Sequence, residues 1–474
     1  MSDNGVPKKT TTKIPTSANT LAVGVLGRAL DDTPAPRKQV ASWALWDWSN
    51  QPFNTVIFTF VFIGIYLVSD NFIDPSVAAL GADSEVYQRA LANLSSQWGL
   101  AVLGAGILIA VIAPVMGQRT DSSGHRKRWL AVNTALTVVG MAALFFVQEG
   151  PSFFLYGIIV VALTNVFSEI AAVNYNAMLV QVSTPKNVGK ISGIGWGLGY
   201  IGGIVALIIV VVITQLNWFG LDISNGLAFR YIALGSAVWA VVFALPILIN
   251  VPEAKPSDRR ERVGILQSYV VLVRDIRALY RDSRTTFWFL VASAVYRDGL
   301  AGVFAFGATI ATVTFGFSGD QVLIFGIAAN LVAGVSTIIS GRFDDRFGPR
   351  AVILTALGGL VVAGLLVFFL HDGGQTIFWI FGLMLCVFVG PAQAASRSLL
   401  ARVTPAGREG EIFGLYATTG RAASWLSPGL WSLFIALFGF QYWGVLGIVL
   451  VLAIGFVLLL LVKAGDKEHL AGQH

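Results

Sequence analysis

Twelve stretches of the chain are apolar enough and long enough to cross a lipid bilayer. Each has about 20 residues or more, the length that an α-helix needs to span roughly 30 Å of hydrocarbon. Of the 474 residues, 55% are hydrophobic and 12% are charged, which leaves too little polar surface for a soluble globule. The stretches lie near residues 43–68, 97–117, 129–148, 152–181, 191–215, 229–250, 286–314, 320–340, 351–370, 376–400, 412–437 and 441–462. The sequence therefore predicts an all-α polytopic membrane protein with twelve transmembrane helices.

The basic residues predict the orientation, because Lys and Arg are retained on the cytoplasmic side of short loops. With both termini cytoplasmic, all but five of the 32 Lys and Arg residues fall in cytoplasmic segments. The five others are Arg89 and Arg230 in outer segments and Arg297, Arg397 and Arg421 within helices. Topology thus explains the net charge of +6, and no nucleic-acid partner is predicted.

The longest charged stretch divides the helices six and six. The predicted organisation is a disordered cytoplasmic tail (1–40), an N-terminal six-helix bundle (41–250), a cytoplasmic linker (251–284), a C-terminal six-helix bundle (285–463) and a second tail (464–474). Within the linker, apolar residues recur at helical spacing beside Arg274, Arg277 and Arg281. This pattern is typical of an amphipathic helix on a membrane surface, and a plain basic linker is the alternative.

The two halves repeat one another. The loop after the second helix, GQRTDSSGHRKR, and the loop after the eighth, GRFDDRFGPR, carry Gly, Asp, Gly and Arg at the same spacings. The segments STPKNVGKISG and VTPAGREGEIFG, after the fourth and tenth helices, also correspond. Parallel six-helix repeats with a cavity between the halves are the architecture of the major facilitator superfamily. The predicted fold is therefore the major facilitator fold, two six-helix bundles with pseudo-two-fold symmetry.

The duplicated loops resemble the signature motif of that superfamily, Gly-x-x-x-Asp-Arg-x-Gly-x-Arg. The second copy is the fuller match, because Ser122 and His125 replace basic residues in the first. Glycines let helix ends approach closely, and an Asp with nearby arginines forms charge contacts that exist in one conformation only. A merely basic loop with a turn glycine would explain the arginines but not the repeated spacing. The residues predicted to gate the cavity are Gly117, Asp121, Gly124, Arg126, Gly341, Asp345, Arg346, Gly348 and Arg350.

Six ionisable residues lie within predicted helices. At the centre of the bilayer each costs about 2.5–3.5 kcal/mol on insertion scales, so we expect them to be paired or hydrated and to be functional. They are Asp47, Glu169, Arg297, Asp298, Arg397 and Arg421. For Arg397 snorkelling to water is an alternative role, and for Asp47 a role at the cytoplasmic gate or as a helix cap.

Polar residues share one face on the helices that line the cavity in the superfamily. On the first helix four of them stand at i, i+3, i+4 and i+7, and the fourth, seventh and tenth helices show similar spacings. A water-filled pocket for a polar solute requires such faces. The predicted substrate-binding residues are Asp47, Asn50, Gln51, Asn54, Asn165, Glu169, Asn176, Tyr296, Arg297, Gln393, Arg397 and Arg421.

Coupling to an ion would use a carboxylate, because none of the four histidines lies in a predicted helix. Glu169 and Asp298 are the candidates for carrying a proton. Sodium is the alternative coupling ion, since carboxylates, Asn side chains and unwound carbonyls also suit Na⁺.

Four segments together resemble the vacuole-effluxer family of major facilitators, whose fungal members are autophagy-related vacuolar amino-acid effluxers. They are WALWDWSNQPFNT, NYNAMLVQV with GIGWGLGYIGG, YRDG, and SRSLLARVTP with EIFGLY, and the resemblance spans about residues 43–435. It implies a secondary transporter, monomeric and in the bacterial inner membrane, for amino acids or similarly small zwitterions. In such a pocket Arg297 or Arg421 would bind a carboxylate, and Asp47, Glu169 or Asp298 an ammonium group.

Three other functions are alternatives to transport of a small polar solute. An exporter of lipophilic drugs or lipids would suit the Trp-rich first helix, and a transport-derived sensor would bind solute without accumulating it. A membrane-embedded enzyme is disfavoured, because the sequence has no HExxH motif, no Cys/His metal set and no Ser-His-Asp candidate. Neither a metal nor a cofactor is predicted.

Overall fold

A computed structural model describes residues 30, 32–81, 84–215, 226–253, 265–282, 284–404, 408–438 and 440–462. Every regular element in these ranges is a helix. Most of the first predicted tail and all of the second lie outside the described residues. Residues 37–40, which were assigned to the first tail, instead form the beginning of the first helix.

Six membrane-spanning helices form the N-terminal half. They are α1 (Arg37–Gln51, continued as a π-helix over Pro52–Phe60 and Phe62–Leu67), α2 (Glu85–Ser123), α3 (Arg126–Ala143), α4 (Pro151–Ala177), α5 (Val188–Gln215) and α6 (Leu227–Asn250). A further helix, the linker helix, covers Ile265–Asp282. The predicted helix in the linker is therefore present.

The C-terminal half repeats this arrangement. Its helices are α7 (Arg284–Thr309, followed by a π-helix over Ile310–Thr314), α8 (Gly319–Phe347), α9 (Pro349–Phe369), α10 (Gln375–Val403), α11 in two segments, α11a (Glu409–Ala423) and α11b (Leu426–Phe438), and α12 (Trp443–Leu461). Eleven of the described helices are long and apolar enough to cross a membrane as single helices.

The twelfth crossing is the interrupted helix α11. Its segments have 15 and 13 residues, and the interruption falls at Ser424 and Trp425. At about 1.5 Å per residue, residues 409–438 extend roughly 45 Å, which is enough to cross the bilayer. The prediction of twelve transmembrane helices is confirmed, and the interruption of the eleventh, near Pro428, was not predicted.

Pro52 marks a change in the backbone of α1. The preceding residues are α-helical, whereas the residues after it bond five positions back, as in Val61 N–H to Val56 O at 2.9 Å. Proline lacks the N–H that an α-helix needs, which frees one carbonyl at this point. Pro52 therefore stands where α1 changes from α-helical to π-helical hydrogen bonding.

The two halves touch mainly at the end of the molecule that carries the basic loops, called the basic end below. There α2 packs on α11a, and α5 packs on α8 and α10. A Cβ atom added at Gly117 would lie 2.0 Å from the carbonyl oxygen of Gly410, and one at Gly193 would lie 2.7 Å from that of Thr337. Only glycine permits backbones to approach this closely. The basic end is therefore closed.

Candidate functional site

A polar cavity of about 270 Å³ lies between the two halves. Helices α4 and α5 line it from one half and α7, α10 and α11 from the other. The lining residues are Glu169, Ala172, Val173, Asn176, Trp196, Arg297, Asp298, Ala301, Gln393, Arg397, Phe413, Tyr416, Ala417, Gly420, Arg421 and Ser424. Seven residues predicted to bind substrate or ion meet here: Glu169, Asn176, Arg297, Asp298, Gln393, Arg397 and Arg421.

An ion pair crosses the cavity from one half to the other. Arg421 of α11a donates a hydrogen bond from Nη2 to Oε1 of Glu169 on α4, at 2.6 Å. Both side chains remain about one-third exposed, at 30% and 34%. Because the pair is partly hydrated, a polar solute entering the cavity could compete for either partner.

Arg297 and Asp298 are adjacent on α7 but serve different contacts. Arg297 donates to the carbonyl oxygen of Tyr416 at 2.7 Å, and its guanidinium lies 3.8 Å from the centre of the Tyr416 ring. Asp298 accepts the N–H of Ser427 at 2.6 Å, so its carboxylate caps the N-terminus of α11b. The two side chains, adjacent in the chain, therefore contact different parts of α11.

Arg397 of α10 is inserted into the N-terminal half. It donates to the hydroxyl and carbonyl oxygens of Ser192 at 3.0 and 2.6 Å and to Oδ1 of Asn176 at 3.0 Å. Rings of Trp43, Tyr175 and Trp196 surround the guanidinium at 5.0–5.7 Å from their centres. Since its side chain is 4% exposed, Arg397 does not snorkel to water but ties the halves together.

Asp47 lies behind Arg397, with Oδ2 3.7 Å from Nη1 of the arginine. The carboxylate also faces α5, where a Cβ atom added at Gly199 would lie 3.2 Å from its Oδ1. Asp47 is not among the residues that line the polar cavity. Its position therefore agrees with the alternative of a role near the gate.

Five other residues predicted to bind substrate also lie outside the cavity lining. Asn50 accepts a hydrogen bond from Ser168 at 3.1 Å, and Gln51 accepts one from Thr55 at 3.2 Å. The hydroxyl of Tyr296 contacts that of Ser396 at 2.7 Å inside the C-terminal half. The remaining two are Asn54, which is partly exposed, and Asn165, which is buried. The polar face of α1 is thus directed mainly at neighbouring helices of its own half.

At the basic end, the first copy of the duplicated loop caps a helix of the opposite half. The carboxylate of Asp121 accepts the N–H groups of Gly410 and Glu411, at 2.9 and 3.0 Å, where α11a begins. Arg126 donates to Asp121 at 2.6 Å and to Glu409 at 3.0 Å. These three charged side chains are at most 9% exposed.

The second copy does the same in the opposite direction. Asp345 accepts the N–H groups of Gly189 and Lys190, both at 2.8 Å, where α5 begins. Its arginine partner is Arg402 of α10, which lies 3.1 Å from Asp345 and 3.4 Å from Asp344. Asp121 and Asp345 thus occupy equivalent positions in the two halves.

The other predicted gating residues have simpler surroundings. Gly124 and Gly348 end α2 and α8 with positive φ angles of 68° and 87°, which glycine adopts readily. Arg346 is exposed, with its guanidinium 5.2 Å from the ring of Phe347. Arg350 donates to the carbonyl oxygens of Leu459 and Leu460, at 3.4 and 2.9 Å, within its own half.

Several residues of the site were missed from the sequence. Glu409 and Arg402 complete the two charge clusters, and Trp196 and Tyr416 contact the cavity arginines. Glu409 stands in the duplicated segment VTPAGREGEIFG, and its place at the beginning of a helix opposite the gating loop was the available signal. Trp196 and Tyr416 gave no such signal, because their neighbours in the sequence are mainly apolar or glycine.

A second, apolar cavity of about 130 Å³ lies within the C-terminal half, between α7, α8, α9, α10 and α12. Val303 and Phe304 line it, close in sequence to Ala301, which lines the polar cavity. Phe60 of α1 also contributes to its lining. Helix α7 therefore contributes to the lining of both cavities.

Twelve helices in two repeated halves around a polar cavity define a transporter of the major facilitator superfamily. The human organic anion transporter MFSD10 (TETRAN) superposes with a TM-score of 0.67 at 17% identity, over 90% of this chain and 100% of that one. This likeness shows the fold. Residues 181–470 match the family described as "Vacuole effluxer Atg22 like". Because the match covers more than half of the chain, the protein belongs to that family, as the resemblance implied.

Two relatives extend this result. The uncharacterized MFS-type transporter YxiO of Bacillus subtilis is 25% identical over 440 residues, which are 92% of this chain and 97% of the relative. Autophagy-related protein 22 of Cryptococcus neoformans is 23% identical over 305 residues, 59% of this chain, and the chain spans about half (51%) of its length. The protein is therefore a secondary transporter and not an enzyme.

Proposed function

We propose that the protein moves a small zwitterionic solute of the amino-acid type through the polar cavity by alternating access. The observation that carries the proposal is the Glu169–Arg421 pair, which joins the two halves inside a partly hydrated cavity. A zwitterion presents a carboxylate to an arginine and an ammonium group to a glutamate. It can therefore replace each half of this pair with a charge-assisted bond of its own.

Arg297 supports the same substrate class. Its guanidinium lines the cavity beside Arg421 and stacks on Tyr416, which holds the planar group in place. Arg297 and Arg421 together outnumber Glu169 in this part of the cavity. This excess of positive charge favours a solute with at least one carboxylate. The family description, "Vacuole effluxer Atg22 like", adds support for a transported solute and names no substrate.

Glu169 is the group that we assign to proton coupling. Its partner Arg421 belongs to the opposite half, so protonation of Glu169 would release the pair and free Arg421 for a substrate carboxylate. Asp298 is the second candidate, but its carboxylate already caps α11b. Imposed pH and Na⁺ gradients, applied separately, distinguish a coupling proton from a coupling Na⁺.

The closed basic end supports a conformation that is shut toward the cytoplasm. We assign the gating role to the clusters around Asp121 and Asp345, which join the halves at that end. This assignment uses the orientation given by the basic loops, with both termini cytoplasmic. We also propose that the protein is a monomer in a bacterial inner (plasma) membrane; the bacterial source of a relative matched over nearly its whole length supports the bacterial location.

The test uses purified protein in vesicles with imposed pH or Na⁺ gradients and radiolabelled neutral amino acids. We expect accumulation driven by the pH gradient in the wild type. In Glu169→Gln accumulation is lost because the proton site is gone, whereas exchange of the same solute continues with weaker binding, because the amide oxygen still accepts a hydrogen bond from the ammonium group. Arg421→Gln reduces both, since a missing charge-assisted bond weakens binding about tenfold or more.

A matched control removes an ion pair elsewhere. Glu85 and Arg89 form a pair at 2.5 Å on the surface of α2, with both side chains 78% exposed. Glu85→Gln should transport like the wild type, because exposed pairs contribute little. Accumulation by Glu169→Gln equal to that of the wild type would refute coupling through Glu169. Accumulation driven by the Na⁺ gradient alone would identify Na⁺, and not a proton, as the coupling ion.

The apolar cavity favours one second candidate, an exporter of lipophilic solutes. Its lining by Phe304, Phe325 and Phe378 would accept an uncharged ring or acyl group. A thermal-shift comparison of amino acids with lipophilic cations separates the two functions. Stabilisation by lipophilic compounds alone, undiminished in Arg421→Gln, would favour the exporter, and solute stabilisation without accumulation would indicate a sensor.

A further inference from the structure

The linker helix, Ile265–Asp282, has two different faces. Tyr269 and Ile276 pack against the core of the protein, and Leu279 is 2% exposed. On the adjoining face, Val270, Val273 and Tyr280 are 69%, 49% and 43% exposed. The helix is therefore bound to the protein along one face and presents large apolar side chains outward along the face beside it.

The exposed apolar residues share their face with arginines. At about 100° per residue, Val270, Val273, Arg277 and Tyr280 fall within an arc of roughly 80°. We call these four residues, together with Arg284 at the beginning of α7, the linker face. Arg277 and Arg284 are exposed, and the guanidinium of Arg284 lies 5.5 Å from the ring centre of Tyr280. Between residues 265 and 284 the sequence has four arginines and two aspartates, so the surface is positive.

The surroundings place this face at a membrane surface. The linker helix is followed after one residue by α7, whose beginning exposes Trp288, and Tyr280 and Trp288 both contact Phe287. Aromatic rings beside arginines, next to the end of a transmembrane helix, are typical of the headgroup region of a bilayer. Of the possible partners, an anionic leaflet matches the apolar side chains and the positive charge at once.

We propose that the linker face binds anionic phospholipids of the leaflet at the basic end. The apolar side chains enter the boundary between headgroups and acyl chains, while Arg277 and Arg284 contact the phosphate and headgroup charges. This binding does not depend on the transported solute or on the coupling ion.

Contacts of the linker helix connect the proposed lipid binding with the gating clusters at the basic end. The hydroxyl of Tyr269 lies 3.5 Å from the carbonyl oxygen of Val111 on α2. Two residues further along α2, Ala113 contacts α11a, because a Cβ atom added at Gly414 would lie 2.7 Å from its carbonyl oxygen. The linker helix, which contacts α2 and precedes α7, thus touches both halves beside the closed interface.

Native mass spectrometry of the full chain tests the proposal, with phosphatidylglycerol and phosphatidylcholine supplied in equal amounts. The wild type should retain phosphatidylglycerol preferentially. Each basic residue near an anionic surface contributes about a fivefold gain in binding, so Arg277→Gln with Arg284→Gln should weaken that retention roughly thirtyfold. The control is Arg89→Gln, which removes a 78% exposed arginine near the opposite end of α2, away from the basic end, and should keep the wild-type preference.

A second variant separates the apolar contribution. Val270→Ser with Val273→Ser keeps every charge and should reduce retention of phosphatidylglycerol while folding, followed by thermal unfolding, is unchanged. Retention equal to the wild type in both linker variants, or an equal loss in the control, would overturn the proposal. Tighter binding of soluble polyglutamate than of phosphatidylglycerol would also overturn it and assign the face to an acidic protein.

Discussion

The two copies of the gating loop make the same backbone contact with different partners. Asp121 and Asp345 each cap the first turn of a helix in the opposite half. In the first copy the arginine comes from the loop itself, as Arg126, whereas in the second it is Arg402 of α10. Arg350, which corresponds to Arg126 in the sequence, bonds instead to a carbonyl of α12.

This difference shows which part of the duplicated motif is essential to the contact. The Asp and the first Gly keep their roles in both halves, because the carboxylate must reach two N–H groups and the backbones must approach closely. The positive partner is exchangeable, since a guanidinium can reach the same carboxylate from several directions. The first copy, the poorer match in sequence, nevertheless has the more deeply buried charges.

The largest effect is expected for Asp121→Asn. The substitution removes the charge that accepts two N–H groups and pairs with buried Arg126, so the closed state should lose about 3 kcal/mol. The measurement is the rate at which a membrane-impermeant maleimide, added at the basic side, labels Ala172→Cys in a Cys386→Ser background. Labelling should accelerate strongly. An unchanged rate would show that the first cluster does not hold the basic end closed.

A smaller effect is expected from added methyl groups. Gly117→Ala places a Cβ 2.0 Å from the oxygen of Gly410, and Gly341→Ala places one 2.7 Å from that of Gly189. Overpacking of this kind costs about 1–3 kcal/mol, with the larger value expected for Gly117. The controls are Gly106→Ala in α2 and Gly326→Ala in α8, since an added Cβ at either glycine meets nothing within 4 Å. Faster labelling in Gly341→Ala than in Gly117→Ala would reverse the comparison.

The smallest effects separate the two arginines of the second copy. Arg402→Gln should cost the closed state about 1 kcal/mol, because its side chain is 23% exposed and water replaces part of the lost contact. Arg350→Gln, which breaks bonds only to α12, should stay within about 0.5 kcal/mol. Equal labelling rates in the two variants would mean that the sequence position, and not the observed contact, determines the role.

The fold could be read from the sequence because hydrophobic length and repeated spacing each carry strong information. The interruption of α11 was not predicted: Pro428 in SWLSPG was the available signal, but the surrounding residues are apolar enough to cross a membrane, and the cap is supplied by Asp298, distant in the chain. The hydrogen-bonding change in α1 was indicated only by Pro52. The end of α7, which also becomes π-helical over Ile310–Thr314, contains no proline and gave no signal.

The candidate site was predictable in composition but not in pairing. The cost of burying charge singled out Glu169 and Arg421, yet 252 positions separate them, and no spacing argument could join them. The polar face of α1 was predicted to line the cavity, but hydrogen bonds with Ser168 and Thr55 satisfy Asn50 and Gln51 within their own half. Helical periodicity identifies which residues share a face and not what that face meets.

The π-helical segments of α1 and α7 give the two halves a rotational freedom at their outer ends. Each π turn takes up about one residue more than an α turn, so the outer part of α1 is rotated by most of a turn relative to an unbroken α-helix. Returning one such turn to α geometry would swing the outer side chains by about 100° without moving the basic end. The last π-helical segment of α1, Phe62–Leu67, and that of α7, Ile310–Thr314, both stand at the outer ends of corresponding helices. Conversion of these segments between π and α geometry would therefore let the outer mouth of the cavity close by twisting as well as by tilting.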